Sequence, residues 1–223
     1  MKNKMLRNGV EMPEVGFGTW KAGETDGFAV LSEAIRAGYR HIDTASAYHT
    51  EEAVGRAVAA SGVDRSEFFI TTKAWKDQLG YDRTLAAFDA SCQALGMDYL
   101  DLYLIHWPRP DAACEEWKEL DRGSWRAMEE LYRAGRVRAI GVSNFLPHHL
   151  EKCTVPPMVD QIEFHPGYVQ WETVEFCRAS QILVEAWSPL GRQRLADDPL
   201  LAELAGKYGV SQAQICLRFA LDC

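Results

Sequence analysis

Short apolar segments alternate with amphipathic helical patterns along this chain, and the alternation restricts the possible folds more than any other feature. Helical patterns end at Gly38, Gly96 and Gly135, and glycine commonly ends a helix because it adopts the left-handed conformation. Strands that alternate with helices pair in parallel through right-handed crossovers. The pattern therefore predicts a parallel sheet. Its seven predicted strands cover residues 15–19, 41–44, 68–72, 100–106, 137–143, 159–164 and 182–188.

Seven parallel strands with polar C-terminal ends predict an α/β fold, a (β/α)8 TIM barrel whose chemistry lies on the loops after the strands. The chain has 223 residues, enough for one large core, so we expect residues 1–223 to form a single barrel domain. Closing such a barrel requires an eighth strand and a last helix. No strand pattern follows the helical run at 212–221, and we expect the barrel to be C-terminally incomplete.

The N-terminal residues predict one further element and argue against a different fold. The Asn8-Gly9 dipeptide is a strong signal for a two-residue turn, so a β-hairpin should precede the first barrel strand. A doubly wound sheet is the main alternative fold. It is the weaker one, because the segment GFGTWKAG lacks the GxGxxG pattern that binds a phosphate in such sheets.

Charge and hydropathy exclude several classes of protein. The formal net charge is −8 and the Lys and Arg residues are spread along the chain, which argues against nucleic-acid and anionic-membrane partners. No apolar stretch approaches the roughly 18 residues of a membrane span, and the first residues lack the apolar core of a signal peptide. We therefore expect a cytoplasmic protein and, by default, a monomer.

The cysteine pattern predicts reduced thiols. The six cysteines contain no CxxC pair and fall mostly in helical patterns, which is not the arrangement of a disulfide framework or a zinc site. We expect no bound metal. The residues concerned are Cys92, Cys114, Cys153, Cys177, Cys216 and Cys223.

Three neighbouring predicted strands lead into titratable side chains. Asp43 lies at the end of the second strand and Tyr48 follows it, Lys73 follows the third, and His106 ends the fourth. These groups can form a proton-transfer site, because a nearby cation lowers the pKa of a phenol. Each residue alone has an ordinary alternative role, such as a helix cap, rim packing or a solvated strand end. Four unlike titratable groups at adjacent strand ends are typical of a barrel active site.

Tryptophans follow the same strand ends. Trp20, Trp75 and Trp107 come after the first, third and fourth strands, which predicts a broad aromatic mouth above the site. Such a mouth suits carbon chains or sugar faces with few charges. The alternative is that these rings close the barrel top for stability alone.

Seven short motifs occur in order over nearly the whole chain, and their joint occurrence is far more specific than any one of them. They are GFGTW at 16–20, HIDTASAY at 41–48, TTKAW at 71–75, LIHWP at 104–108, GVSNF at 141–145, QIEFHP at 161–166 and EAWSPLG at 185–191. Through these motifs the chain resembles the aldo-keto reductases. Within them it looks most like the small bacterial members similar to 2,5-diketo-D-gluconate reductase.

The resemblance implies NAD(P)H-dependent reduction of an aldehyde or ketone to an alcohol. A nicotinamide would supply the hydride and Tyr48 the proton, with the Lys73 ammonium making the phenol more acidic. Asp43 would hold Lys73 in its charged form. His106 would bind the carbonyl oxygen, and would either share the acid role or only orient the substrate.

The resemblance also implies two sets of binding residues. The cofactor residues are Thr19, Trp20, Asp43, Ser143, Asn144, Gln161, Trp187, Ser188, Leu190 and Gly191. The substrate residues are Trp20, Tyr48, Trp75, His106 and Trp107, which would bind a small carbonyl compound.

Two departures from the family pattern affect these expectations. The basic segment that marks NADPH preference follows the eighth strand in the family, so NADPH is expected from resemblance alone and NADH stays open. The crossover that contains residues 147–153 is shorter than the corresponding segment of the family.

Two other functional classes are compatible with the same motifs. One is a non-catalytic, nicotinamide-binding regulatory barrel, which retention of all four acid-base residues disfavours. The other is an inactive fragment, because an open barrel would expose two sheet edges.

Overall fold

The computed structural model describes residues 2–24, 26–150 and 155–223. In these ranges a two-stranded antiparallel hairpin precedes a seven-stranded parallel sheet whose strand order is the order in sequence. The hairpin consists of β1 (Asn3–Met5) and β2 (Glu11–Pro13). The sheet consists of β3 (Gly16–Gly18), β4 (His41–Asp43), β5 (Phe69–Ala74), β6 (Leu100–Ile105), β7 (Val137–Ser143), β8 (Val159–Glu163) and β9 (Leu183–Trp187). The predicted α/β barrel architecture is confirmed.

Helices follow the strands and cover the outside of the nearly closed barrel. In the described ranges they are α1 (Gly27–Arg36), α2 (Glu51–Ala60), α3 (Tyr81–Leu95), α4 (Trp117–Arg133), α5 (Pro147–Leu150), α6 (Trp171–Ala179), α7 (Pro199–Tyr208) and α8 (Gln212–Asp222). Within the same ranges, β3 and β9 are the two end strands of the sheet. No helix there combines the length and apolar character needed to cross a bilayer.

The N-terminal hairpin forms as predicted, but its turn differs from the prediction. Leu6 N–H donates to the Val10 carbonyl and Gly9 N–H donates to the Leu6 carbonyl, each at 2.9 Å. This is a three-residue loop with Gly9 at φ 83°, so the prediction of a two-residue turn was wrong. The side chain of Asn8 donates to the Arg138 carbonyl at 2.9 Å. The hairpin therefore lies against the N-terminal ends of the barrel strands.

Local sequence signals set the helix ends. Asp26 accepts a hydrogen bond from Ala29 N–H at 3.1 Å and begins α1. Ser211 and Gln214 form a reciprocal capping box at the start of α8. Gly96 ends α3 in the left-handed conformation with φ 65°. The predicted glycine stop of this helix is confirmed.

The main core lies between the sheet and the helices. Tyr103 of β6 is fully buried and its ring meets that of Phe88 of α3 edge-on, with centroids 5.2 Å apart. Burying each such side chain contributes about 1.5–3 kcal/mol. Cys92 and Cys177 are buried in the same core and carry free thiols. Cys153, and with it the end of the predicted crossover at 147–153, lies outside the described residues.

Alternation along β8 and β9 decides which side chains enter the barrel. Gln161 pairs with Glu185 in the parallel register, and both line the interior cavity. Asp160, which directly precedes Gln161 in β8, is fully buried on the opposite face of the sheet. Its Oδ2 lies 3.8 Å from Cys177 Sγ of α6. Because successive side chains of a strand point to opposite faces of the sheet, Gln161 faces the barrel interior and Asp160 faces the helices.

Candidate active site

The site is centred on a buried ion pair between two neighbouring strands. Asp43 is the last residue of β4 and Lys73 lies in β5. Lys73 Nζ lies 2.5 Å from Asp43 Oδ1 and donates to the Thr44 carbonyl at 2.9 Å. The side chain of Lys73 is 0% exposed and that of Asp43 14% exposed, so solvent screens this pair little.

Tyr48 and His106 complete the cluster. Tyr48 lies in a short 3-10 turn, Ser46–Tyr48, that follows β4, and His106 directly follows β6. The Tyr48 hydroxyl lies 3.4 Å from His106 Nε2, and Lys73 Nζ lies 5.2 Å from the centroid of the Tyr48 ring. The structure thus brings together all four residues that the sequence placed at adjacent strand ends.

The charge states of Lys73 and Tyr48 follow from burial and from each other. Burial lowers the pKa of Lys73, but Asp43 and Tyr48 outweigh it and the pKa is raised, so the ammonium stays charged. Burial raises the pKa of Tyr48 by more than Lys73 lowers it. Lys73 therefore acts on the phenol in the predicted direction, but desolvation of the phenolate is the larger effect, so the pKa of Tyr48 is raised overall.

His106 is a neutral imidazole in this site. Burial, followed by the positive charges of Lys73 and Lys76, lowers its pKa to about 3. Its ring meets Trp75 edge-on with centroids 4.7 Å apart. A neutral ring can donate one hydrogen bond to a substrate oxygen without itself releasing a proton at neutral pH.

A cavity of about 890 Å³ opens above the cluster and extends down inside the barrel. Its upper walls are aromatic, as predicted from the tryptophans that follow the strands. The rings that line it there are Trp20, Tyr48, Trp75, His106, Trp107 and Trp187.

Several predicted cofactor residues lie together on the cavity wall. Trp187 Nε1 donates to Asn144 Oδ1 at 2.9 Å, and Asn144 Nδ2 donates to the His106 carbonyl at 3.0 Å. Gln161 Nε2 donates to Asp43 Oδ2 at 2.9 Å. Side-chain amides beside an indole ring fit a planar ring that carries a carboxamide, because such a group needs both donors and acceptors. The residues present therefore fit a nicotinamide.

Three of the predicted cofactor residues, Thr19, Leu190 and Gly191, are not among the residues that line the cavity. Thr19 is fully buried, and its hydroxyl bonds that of Thr50 at 2.8 Å. Ser188 lines the cavity, whereas Leu190 and Gly191 are not among its lining residues. The expected contacts of Thr19, Leu190 and Gly191 with a cofactor stay predictions.

Two residues of the site were missed by the sequence reasoning. The Arg192 guanidinium carbon lies 4.8 Å from the Trp20 ring centroid and 4.9 Å from that of Trp187, so it spans the mouth between them. Glu185 faces the barrel interior below Asp43. Alternation with Trp187 along the strand could have identified Glu185, but no sequence signal placed Arg192 over the mouth.

The arrangement of side chains gives no sign of a metal centre in the described ranges. No group of three or more His, Cys, Asp or Glu side chains is arranged there to hold an ion.

The comparison with protein-family models decides the family. Residues 14–223 match the model of the Aldo/keto reductase family. The chain belongs to this family. Membership supports an oxidoreductase that acts on small-molecule carbonyl compounds with a nicotinamide cofactor.

Curated relatives agree with this assignment. A glyoxal reductase of Bacillus subtilis (strain 168) is 47% identical over 222 residues, which cover 97% of this chain and 78% of that protein. A putative methylglyoxal reductase DkgA of Salmonella typhi is 42% identical over 224 residues, with 98% and 78% covered.

A solved structure confirms the fold of this aldo/keto reductase. The crystal structure of an aldo/keto reductase from Brucella melitensis superposes with a TM-score of 0.93 at 44% identity. The superposition covers 99% of this chain and 84% of the other.

Proposed function

We propose that this aldo/keto reductase reduces a small aldehyde or ketone to the alcohol, with NADPH as the hydride donor and Tyr48 as the proton donor. The observation that carries the proposal is the Tyr48 hydroxyl 3.4 Å from His106 Nε2, with the buried Lys73 Nζ 5.2 Å from the centroid of the Tyr48 ring. The names of the glyoxal and methylglyoxal reductases support small carbonyl substrates. The preference for NADPH rests on the family resemblance.

The proton side of the reaction follows from the charge states of the cluster. Tyr48 keeps its proton at neutral pH, because the ordinary pKa of a tyrosine is about 10 and burial raises it further. His106 donates a hydrogen bond to the substrate oxygen and orients it toward Tyr48. As Tyr48 gives up its proton, the Lys73 ammonium stabilises the phenolate that forms. Asp43 keeps Lys73 charged and in place.

The cofactor side is assigned to the cavity wall. A reduced nicotinamide supplies the hydride to the carbonyl carbon when it is bound. Ser143, Asn144 and Gln161 would hold its carboxamide, and the Trp187 ring would pack against its face. The substrate would enter through the aromatic mouth above these residues.

Replacing Tyr48 by Phe tests the proton donor. Tyr48→Phe should slow the oxidation of NADPH by a small aldehyde by at least about 100-fold, since a positioned acid typically contributes that much or more. The affinity for NADPH, monitored by quenching of tryptophan fluorescence, should be nearly unchanged. Tyr81→Phe is the matched control, because the Tyr81 hydroxyl bonds Glu130 on the outside of the barrel.

Three outcomes of this experiment are informative. Turnover retained in Tyr48→Phe would refute Tyr48 as the proton donor. Cofactor binding without any turnover in the wild type would favour the regulatory barrel. Loss of activity in both Tyr48→Phe and Tyr81→Phe would point to a general effect on folding.

A further inference from the structure

A second carboxyl group lies inside the barrel close to the Asp43–Lys73 pair and has no part in the proposed proton transfer. Glu185 of β9 is the register partner of Gln161 of β8, and its side chain is only 16% exposed. Its Oε1 lies 3.7 Å from His41 Nε2, whereas Oε2 is buried without a hydrogen-bond partner in the described structure. Its position therefore needs a physical explanation.

The charges around Glu185 do not balance if its carboxyl is ionised. The titratable groups that face it are His41 and Asp43 from β4 and Lys73 from β5, with Gln161 as a neutral neighbour from β8. The single ammonium of Lys73 is already paired with Asp43 at 2.5 Å. His41 cannot supply a second cation at neutral pH, because burial lowers its pKa to about 4.

A buried carboxyl in this position therefore keeps its proton. Burial and the nearby Asp43 raise the pKa of Glu185 to about 8, although Gln161 and Lys73 act in the opposite direction. A neutral carboxyl in a site with one ion pair avoids the cost of an uncompensated buried charge.

Gln161 connects Glu185 to the catalytic cluster. Gln161 Nε2 donates to Asp43 Oδ2 at 2.9 Å, and Gln161 is also the register partner of Glu185 on the neighbouring strand. One side-chain amide thus lies between two carboxyl groups on the wall of the same cavity. When Glu185 is neutral, Asp43 attracts the amide N–H more strongly. Once Glu185 is ionised, it competes for that N–H and places a second negative charge near Lys73.

We propose that Glu185 is a positioning residue whose protonated form holds Gln161 on Asp43, and that its ionisation slows carbonyl reduction. This inference rests on the proposed function of the Tyr48 cluster. The added negative charge makes the Tyr48 phenol a weaker acid, because it offsets part of the Lys73 charge that stabilises the phenolate. Competition for Gln161 also loosens the wall on which the carboxamide would be held.

The pH dependence of kcat/KM in Glu185→Gln tests the proposal. The wild type should lose activity above an inflection near pH 8, and Glu185→Gln should lack that inflection because its amide does not titrate. One pH unit above the inflection, the variant should exceed the wild type by up to about 10-fold. Near neutral pH the two should agree within a few-fold.

Two further variants separate a positioning role from a general structural one. Glu185→Asp keeps a titratable carboxyl and should retain an inflection. Asp160→Asn is the matched control, because Asp160 of β8 is likewise a buried carboxyl but faces Cys177 outside the barrel interior. It should leave the pH profile of kcat/KM unchanged.

A readout that does not depend on turnover completes the test. Infrared difference spectra of the ligand-free protein should show a protonated-carboxyl band near neutral pH that shrinks in Glu185→Gln. An unchanged band, or an unchanged inflection in Glu185→Gln with normal wild-type turnover, would overturn the assignment of Glu185 alone. Absence of turnover in the wild type would instead overturn the proposed function.

Discussion

Lys73 Nζ and Asp43 Oδ1 lie 2.5 Å apart inside the barrel, and the Lys73 side chain is fully buried. Taking two charges out of water is costly, so a buried pair of this kind adds little net stability relative to an apolar pair. Removing one member of the pair should strongly destabilise the protein, because it leaves the other charge buried and uncompensated. The pair therefore links the fold of the barrel to the proposed chemistry.

Lys73→Met should both destabilise the protein and abolish carbonyl reduction. We expect a loss of about 3–5 kcal/mol in the free energy of unfolding, since Asp43 would remain as an unpaired buried charge. Urea unfolding, monitored by tryptophan fluorescence, measures this loss in the free energy of unfolding. Lys4→Met is the control, because Lys4 is 47% exposed and its pair with Glu14 should contribute only about 0–1 kcal/mol. Equal losses in the two variants would contradict the interpretation of Lys73.

Asp160→Asn should change how stability depends on pH. Burial raises the pKa of Asp160 well above its ordinary value, and Oδ1 has no hydrogen-bond partner in the described structure. Between the unfolded pKa of about 4 and the folded pKa, the folded protein binds one more proton than the unfolded chain. Asp160 therefore lowers stability as pH rises, by up to about 1.4 kcal/mol per pH unit.

The measurement for Asp160 is a series of urea denaturations at increasing pH. The advantage of Asp160→Asn over the wild type should grow as pH rises above about 4, because the amide has no proton to lose. Asp197→Asn, at an exposed position, should follow the wild-type curve. A constant difference between Asp160→Asn and the wild type would show that Asp160 does not titrate between the two states.

Two helical glycines should respond in opposite ways to the same substitution. A Cβ at Gly55 in α2 would overlap the Leu95 carbonyl oxygen and lie 2.7 Å from its carbon, whereas a Cβ at Gly206 in α7 meets nothing within 4 Å. Gly55→Ala should cost about 1–3 kcal/mol through overpacking. Gly206→Ala should add about 0.5–1 kcal/mol, because alanine is the better helix former. Melting temperatures of the two variants give the sign of each effect.

The strand and helix pattern could be predicted from sequence because it depends on neighbouring residues. Alternating apolar segments, helix caps and glycine stops are local signals, and they identified the seven barrel strands that the structure contains in the described ranges. The predicted length of the hairpin turn was wrong, because the Asn8-Gly9 signal is shared by two-residue and three-residue loops.

The juxtaposition of Asp43, Tyr48, Lys73 and His106 was also within reach of the sequence. Parallel strands place their C-terminal ends at one edge, so residues at successive strand ends must lie close together. The sequence therefore determined the barrel, its aromatic mouth and the identity of the four clustered groups.

Only the tertiary structure decided the charge states and the finer contacts. Burial is a property of the whole barrel, and it made Tyr48 a weaker acid than the sequence suggested. Gln161 reaches Asp43 across 118 residues of chain, and Glu185 joins them through the register of β8 and β9. Such contacts depend on how distant strands pair and on how much water they exclude, which no local pattern encodes.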